Sequence, residues 1–217
     1  SKQGLKVVQR ARKEGQQVFV ETCPQYLLMD DSLYELPGFE SAKYVCAPPL
    51  RKKEDQDCLW KGLADGTIQT VSTDHCSFTT EQKKLGEGDF TKIPGGMPGA
   101  ETRGTLIYTY GVDKGRITKE DMCRVLSENP AKLYGLYPRK GVIAPGSDAD
   151  LVIMRTGVED VITAKDQVQN VDYAPFEGTK VTGRVESVFL RGLQAVKDGK
   201  VVEEKKGEFL KRGKYAL

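Results

Sequence analysis

A helix, a glycine and a short β-rich run follow one another twice in the first part of this chain, and both runs end in polar residues. Leu5, Val7, Val8 and Ala11 recur near helical spacing between Lys, Arg and Gln, and Gly15 stops that helix. Gln17 to Thr22 (QVFVET) then reads as a strand. Lys53 to Asp65 repeats the pattern with Cys58, Leu59, Trp60 and Leu63 as its apolar members. Gly66 stops it, and Thr67 to Ser72 (TIQTVS) leads into Thr73-Asp74-His75-Cys76. Helix then strand across a glycine turn is the rhythm of a parallel sheet. In a (β/α)8 barrel the active site lies at the C-terminal ends of the strands, the places taken here by Glu21-Thr22 and Thr73-Asp74. Two units cannot close a barrel of on the order of 250 residues, so further strands are expected on the N-terminal side.

Between and after these units lie segments of other character. Cys23 to Leu50 is long and irregular, with Pro24, Pro37, Gly38, Pro48 and Pro49, and a loop of that length is either functional or not truly a loop. Gly86 to Gly99 is Gly/Pro-rich and contains IPGGMPG. Ala100 to Tyr110 and Thr118 to Tyr134 read as helices, the second with Thr118 as N-cap and Asp121 three residues on. Pro130 is expected to break or restart that helix after Asn129. From Gly141 the chain reads as short strands with tight turns at Pro145-Gly146 and Asp198-Gly199. The expected division is therefore 1–140 and 141–217.

Composition narrows the classes of partner. Hydrophobic residues make up 38% and charged residues 29%, with a net charge of +2, so neither disorder, nucleic acid nor an anionic membrane is indicated. No stretch is apolar enough to span a bilayer. The chain opens on Ser1 and a polar amphipathic segment, unlike a signal peptide, and the missing initiator Met points to removal of something upstream. Five cysteines, none in a CxxC pair, read as free thiols of a cytoplasmic protein. His75 is the one histidine, whereas a catalytic zinc usually takes three protein ligands.

Seven strings, in matching order and spacing across almost the whole chain, resemble the hydantoinase/dihydropyrimidinase family of cyclic amidohydrolases. They are Glu21-Thr22-Cys23-Pro24-Gln25-Tyr26-Leu27, Pro48-Pro49-Leu50-Arg51, Ser72-Thr73-Asp74-His75-Cys76, Asn129-Pro130-Ala131-Lys132, Leu136-Tyr137-Pro138-Arg139-Lys140-Gly141, Gly146-Ser147-Asp148-Ala149-Asp150-Leu151-Val152-Ile153 and Pro175-Phe176-Glu177-Gly178. The GSDADLV string alone is shared widely among amidohydrolases; the ordered set is what is similar to this family.

The resemblance implies an α/β fold: the C-terminal part of a (β/α)8 metal-dependent hydrolase barrel plus part of a small β-sandwich. It implies ring opening of hydantoins or dihydropyrimidines by a hydroxide shared between two metals, usually zinc. In the family four His, a carboxylated Lys and an Asp hold those metals. Asp74 matches that Asp, as metal ligand and general acid/base; the other ligands would fall before Ser1, so this chain is expected neither to hold zinc nor to turn over substrate alone. The plainer role for Asp74 is to cap the turn after its strand. The family binds the cyclic imide through backbone groups at positions matched by Ala47, where Ser is usual, and Gly95, where Asn is usual; Gly95 is the freer backbone. His75 is expected to pack or support Asp74, and Cys76 to be a small buried residue.

As partners the resemblance implies a small cyclic amide and copies of the same chain, since family members are commonly tetramers. Gly207 to Leu217 is expected to reach a neighbour, and strand edges left by the absent half-barrel to favour association. Two alternatives stand beside the enzyme: a non-catalytic interaction protein of the same fold, whose members have generally lost the Asp before His-Cys, and an allantoinase, which resembles CPHYL where this chain has CPQYL.

Overall fold

The computed structural model describes residues 1–202 and 207–217. The first helix, α1 (Lys2–Lys13), is capped by the Ser1 side chain, which accepts from the Gly4 amide at 3.2 Å, and it buries Leu5 against the core. The strands after the two helix-glycine units are shorter than the sequence suggests. Only β1 (Glu21–Thr22) and β2 (Thr70–Val71) pair, in parallel. Side chains explain the shortening. Arg12 donates to the carbonyls of Val18 and Thr67 at 2.8 Å each and to the Gln69 side-chain oxygen at 2.7 Å, and that same oxygen accepts the Val20 amide at 2.9 Å. Backbone groups that would extend the ladder are thus satisfied from the side.

The stretch from Cys23 to Leu50 is more ordered than its prolines indicate. It contains α2 (Pro24–Leu28), which starts on Pro24, a residue whose fixed φ and missing N–H suit the first helical position, and two 3-10 turns at Asp31–Glu35 and Glu40–Tyr44. α3 (Lys53–Ala64) packs on α1 and α2; the Trp60 indole donates to the Leu27 carbonyl at 3.1 Å. Leu5, Leu27, Leu63, Ile68, Val71 and Ile107 form the centre of this first core.

After β2 come α4 (Thr80–Lys83), α5 (Arg103–Ile107), which runs on into a wide π turn at Tyr108–Val112, and α6 (Lys119–Cys123). The Thr118 cap and its Asp121 partner form the capping box read from the sequence. Of the expected break or restart at Asn129–Pro130 the structure has the restart, a change of helix type without a break in the helical path. A second π turn, Arg124–Glu128, leads directly into α7 (Asn129–Leu133), and the Asn129 amide bonds five residues back to Arg124. In a regular helix the Pro130 ring would clash with the carbonyl four residues earlier; the widened turn moves that carbonyl aside.

The C-terminal part is an antiparallel sheet in the order β3 (Leu151–Val161), β4 (Lys180–Leu190), β5 (Leu193–Lys197), β6 (Lys200–Val201). β3 and β4 are eleven residues each, longer than expected, and two register shifts let them bend together. Asp198 and Gly199, at φ 49° and 73°, form the expected tight turn, and Arg191-Gly192 forms another. The sheet does not stand apart. Ile162, Ala174, Phe176 and Val181 share a second core with Met29, Leu50, Met97 and Leu106. Lys140 bridges Asp148 and Asp150, which joins two of the recognised strings. Residues 213–216 return to the chain's own α7 end, where Gly213 donates to Gly135 at 2.7 Å and Ala216 to Lys132 at 3.0 Å. Among the described residues no helix is long and apolar enough to cross a membrane.

Leu63 is fully buried where α1, α3 and β2 meet. Leu63→Ala is expected to lower unfolding free energy by about 2–5 kcal/mol, read as a shift in urea midpoint. Val7→Ala, on the exposed side of α1, is expected to change it by less than about 0.5 kcal/mol.

Candidate active site

Asp74 stands three residues beyond β2, at the C-terminal end of the parallel pair, and is exposed. Its φ of 48° places it in the left-handed region, which Asp tolerates because its short polar side chain interacts locally. Two contacts fix the segment. On one side the buried Gln25, from the first turn of α2, donates to the Thr73 carbonyl at 3.1 Å. On the other, His75 Nδ1 accepts the amides of Gly99 and Ala100, both at 3.1 Å. His75 is therefore not packed inside: it is exposed and fastens the 99–100 turn beside Asp74. Cys76, expected to be buried, is also exposed. Its backbone amide donates to the Met97 carbonyl at 3.2 Å.

Cys23, at the mouth of β1, is buried with its sulfur 3.4 Å from the Ser72 hydroxyl. Burial pushes its thiol up to about 11; the Ser72 bond opposes this, and the Glu21 and Asp74 carboxylates add to it. Burial likewise raises the Tyr26 phenol, with smaller contributions from the neighbouring thiols and Asp74. The negative charge of Asp74 is thus felt at the start of α2. Glu21, the other polar strand end, is engaged across the sheet, accepting the Thr70 hydroxyl at 3.0 Å.

Ala47 and Gly95 are exposed and lie on two loops bonded to each other, the second of which meets the Asp74 segment. The Gly96 amide donates to the Val45 carbonyl at 2.9 Å, and His75 pairs with Met97 in an isolated parallel bridge. Gly96 has φ 152°, and a Cβ there would sit 2.6 Å from the Cys76 carbonyl oxygen, so only glycine lets the loop seat on the strand end. Sequence reasoning missed Lys83. It is 1% exposed, and its ammonium donates to the carbonyls of Val45 at 3.1 Å, Pro94 at 2.7 Å and Gly96 at 2.9 Å. Its nitrogen also stands 5.6 Å from the centre of the Phe78 ring. Burial pushes it down to about 8, with the Cys46 and Cys76 thiols acting the other way. By residue type Lys83 cannot be told from its exposed neighbour Lys84; only its α4 position, just after the Thr79–Gln82 capping box, turns it inward.

The three expected site residues, Asp74, Ala47 and Gly95, are each exposed. A cleft of about 350 Å³ between α2 and the 175–179 turn contains none of them. Among the described residues no three His, Cys, Asp or Glu side chains converge as metal ligands. At the strand ends Glu21 is engaged by the Thr70 hydroxyl, which leaves Asp74, and one carboxylate does not hold a divalent metal tightly.

Two measurements check this geometry. Gln25→Leu leaves the Thr73 carbonyl unpaired and is expected to cost about 1–3 kcal/mol in urea denaturation. With iodoacetamide at pH 8, exposed Cys123 is expected to alkylate readily, while Cys23, held as a thiol up to about 11, reacts only once the chain is unfolded. Comparable labelling of both would contradict the buried placement of Cys23.

The amidohydrolase family model matches residues 27–202. The chain is 49% identical over 215 residues to the D-hydantoinase of Geobacillus stearothermophilus, covering 98% of this chain and 46% of that protein. It is 50% identical over 188 residues to the D-hydantoinase of Streptomyces coelicolor, covering 86% and 40%. The structure of the D-hydantoinase from Bacillus sp. AR9 superposes with a TM-score of 0.95 at 46% identity, covering 98% of this chain and 47% of that one. The chain spans about half the length of these relatives, and its α/β architecture is the corresponding part of their barrel fold. By the span of that match, this chain belongs to the amidohydrolase family, whose members are generally metal-dependent.

Proposed function

We propose that this chain is the C-terminal portion of a cyclic amidase that opens hydantoin or dihydropyrimidine rings by hydrolysis. One observation carries the reading: an exposed carboxylate at the end of a parallel strand, on a segment bonded to the Gly95 loop, which is in turn bonded to the Ala47 loop through Gly96 and Val45. The similarity to D-hydantoinases over 98% of the chain supports it. In this reading Asp74 takes a proton from the attacking water and returns it to the ring nitrogen as the C–N bond breaks. Backbone groups at Ala47 and Gly95 hold the imide edges of the ring, which leaves side chains free to vary at both positions. The presence of Asp74, which the non-catalytic relatives have generally lost, favours the enzyme over that alternative. Gln25 makes a bond through its side-chain amide where an allantoinase would carry His.

The residues present do not by themselves fit a metal. Asp74 is one candidate ligand, so no step here runs through an ion. We propose zinc, two ions per site, held only together with ligands that this chain does not contain, and hence no turnover by the 217-residue chain alone. The proposed units are 1–140 for the barrel portion and 141–217 for the sandwich portion and tail. A cytoplasmic location, in keeping with the free thiols, and a homotetramer complete the proposal.

Two experiments test it. The purified chain is expected to bind less than stoichiometric zinc and to leave hydantoin intact; tight one-to-one zinc refutes the division of ligands. Fused behind the N-terminal half of the Geobacillus stearothermophilus D-hydantoinase, the chain is expected to open hydantoin. Asp74→Asn in that chimera is expected to lower kcat by at least about 10²-fold. Undiminished turnover would remove Asp74 from the chemistry.

A further inference from the structure

We propose that Lys83 is the positioning residue that sets the gap between the Ala47 loop and the Gly95 loop, and through that gap the size of ring accepted. The inference rests on the reading of those loops as the substrate-binding edges. Three observations carry it. First, an ammonium has three N–H donors and no acceptor, and all three are spent on backbone carbonyls. One is Val45, two residues before Ala47; the other two, Pro94 and Gly96, flank Gly95 on either side. A single nitrogen therefore fixes both loops in one frame. Second, among the described residues Lys83 forms no ion pair, so its place is set by these carbonyls, the Phe78 ring and the Cys46 and Cys76 thiols that face it. A buried cation without a counter-ion is costly unless its hydrogen bonds are complete. Third, a Cβ at Gly95 would meet nothing within 4 Å, so no neighbouring group presses on that position, and beside the Lys83 bonds one backbone bond, from the Gly96 amide to the Val45 carbonyl at 2.9 Å, joins the two loops.

The mount behind Lys83 is itself fixed. Its backbone amide donates to Thr79 at 3.0 Å, and the neighbouring Thr80 amide donates to both oxygens of Asp172, at 2.9 and 3.2 Å. A cyclic imide is rigid, so two backbone edges that grip it must keep a set separation. A displacement of about 1 Å between reacting partners is enough to cost on the order of a hundredfold. Hydantoin has a five-membered ring and dihydrouracil a six-membered one, which makes ring size the natural reporter of the gap.

The experiment has two arms. In the 217-residue chain, amide hydrogen exchange is compared for the parent, Lys83→Met and Lys83→Arg. Met strands three carbonyls; Arg keeps the charge but offers a planar fork in place of a tripod, and serves should Met fail to fold. Exchange at the Gly96 and Cys76 amides is expected to quicken by about tenfold or more, while the Ser72 amide bonded to Thr22 in the parallel pair is unaffected. Uniform acceleration through both cores, or none at Gly96, overturns the clamp. In the chimera, KM for hydantoin is expected to rise about tenfold with a smaller loss in kcat, and the ratio of kcat/KM for hydantoin to that for dihydrouracil to change by at least about threefold. An active parent chimera whose ring-size ratio is untouched by either substitution overturns this proposal alone. An inactive parent chimera overturns the substrate reading, and this proposal with it.

Discussion

The ladder between β1 and β2 holds two residue pairs, and everything at the candidate site hangs from it. So short a pairing does not fix the direction of the chain beyond Val71, and side chains complete the task. Arg12 and Gln69 close the entry side of the strands, where Thr67 and Val18 would otherwise leave carbonyls unpaired. Gln25 closes the exit side, at Thr73. The strand ends are therefore held at both limits by long polar side chains that reach backbone, and Asp74 takes its orientation from that frame.

The outline of the fold was legible because it rests on local signals. α3 keeps its apolar face toward Leu27 and its glycine stop, Thr118 caps α6, and Asp198-Gly199 turns the last hairpin. What was not legible depends on residues distant in sequence. The strand lengths answer to Arg12, more than fifty positions from Thr67. The uninterrupted helix through Pro130 depends on a widened turn that no residue type announces. At the site, Asp74, Ala47 and Gly95 could be named from ordered strings, but the lysine behind two of them could not, since burial of Lys83 is decided by where α4 docks. Cys76 was expected to be buried and His75 to pack or to support Asp74; both are exposed, and His75 holds the turn beside Asp74.

The two cores connect this frame to the C-terminal sheet. Met29 and Leu50, at the ends of the segment that carries Ala47, meet Phe176 and Val181 from the sheet side. Tyr110 donates to the Lys180 carbonyl at 3.0 Å, and Thr109 accepts the Thr182 amide at 3.1 Å, so the widened end of α5 serves as the plate on which β4 rests. The Ala47 and Gly95 loops are thus braced through Leu50 and Met97 in the second core, by residues with no chemistry of their own.

The left-handed backbone at Asp74 bears on how such a chain can change. Asn is the other residue at ease in that conformation. A single base change could therefore erase the carboxylate and leave the backbone course intact, with the loops still seated and both cores undisturbed. A lineage could abandon hydrolysis in one step and keep every surface that other proteins recognise, with no intermediate that fails to fold.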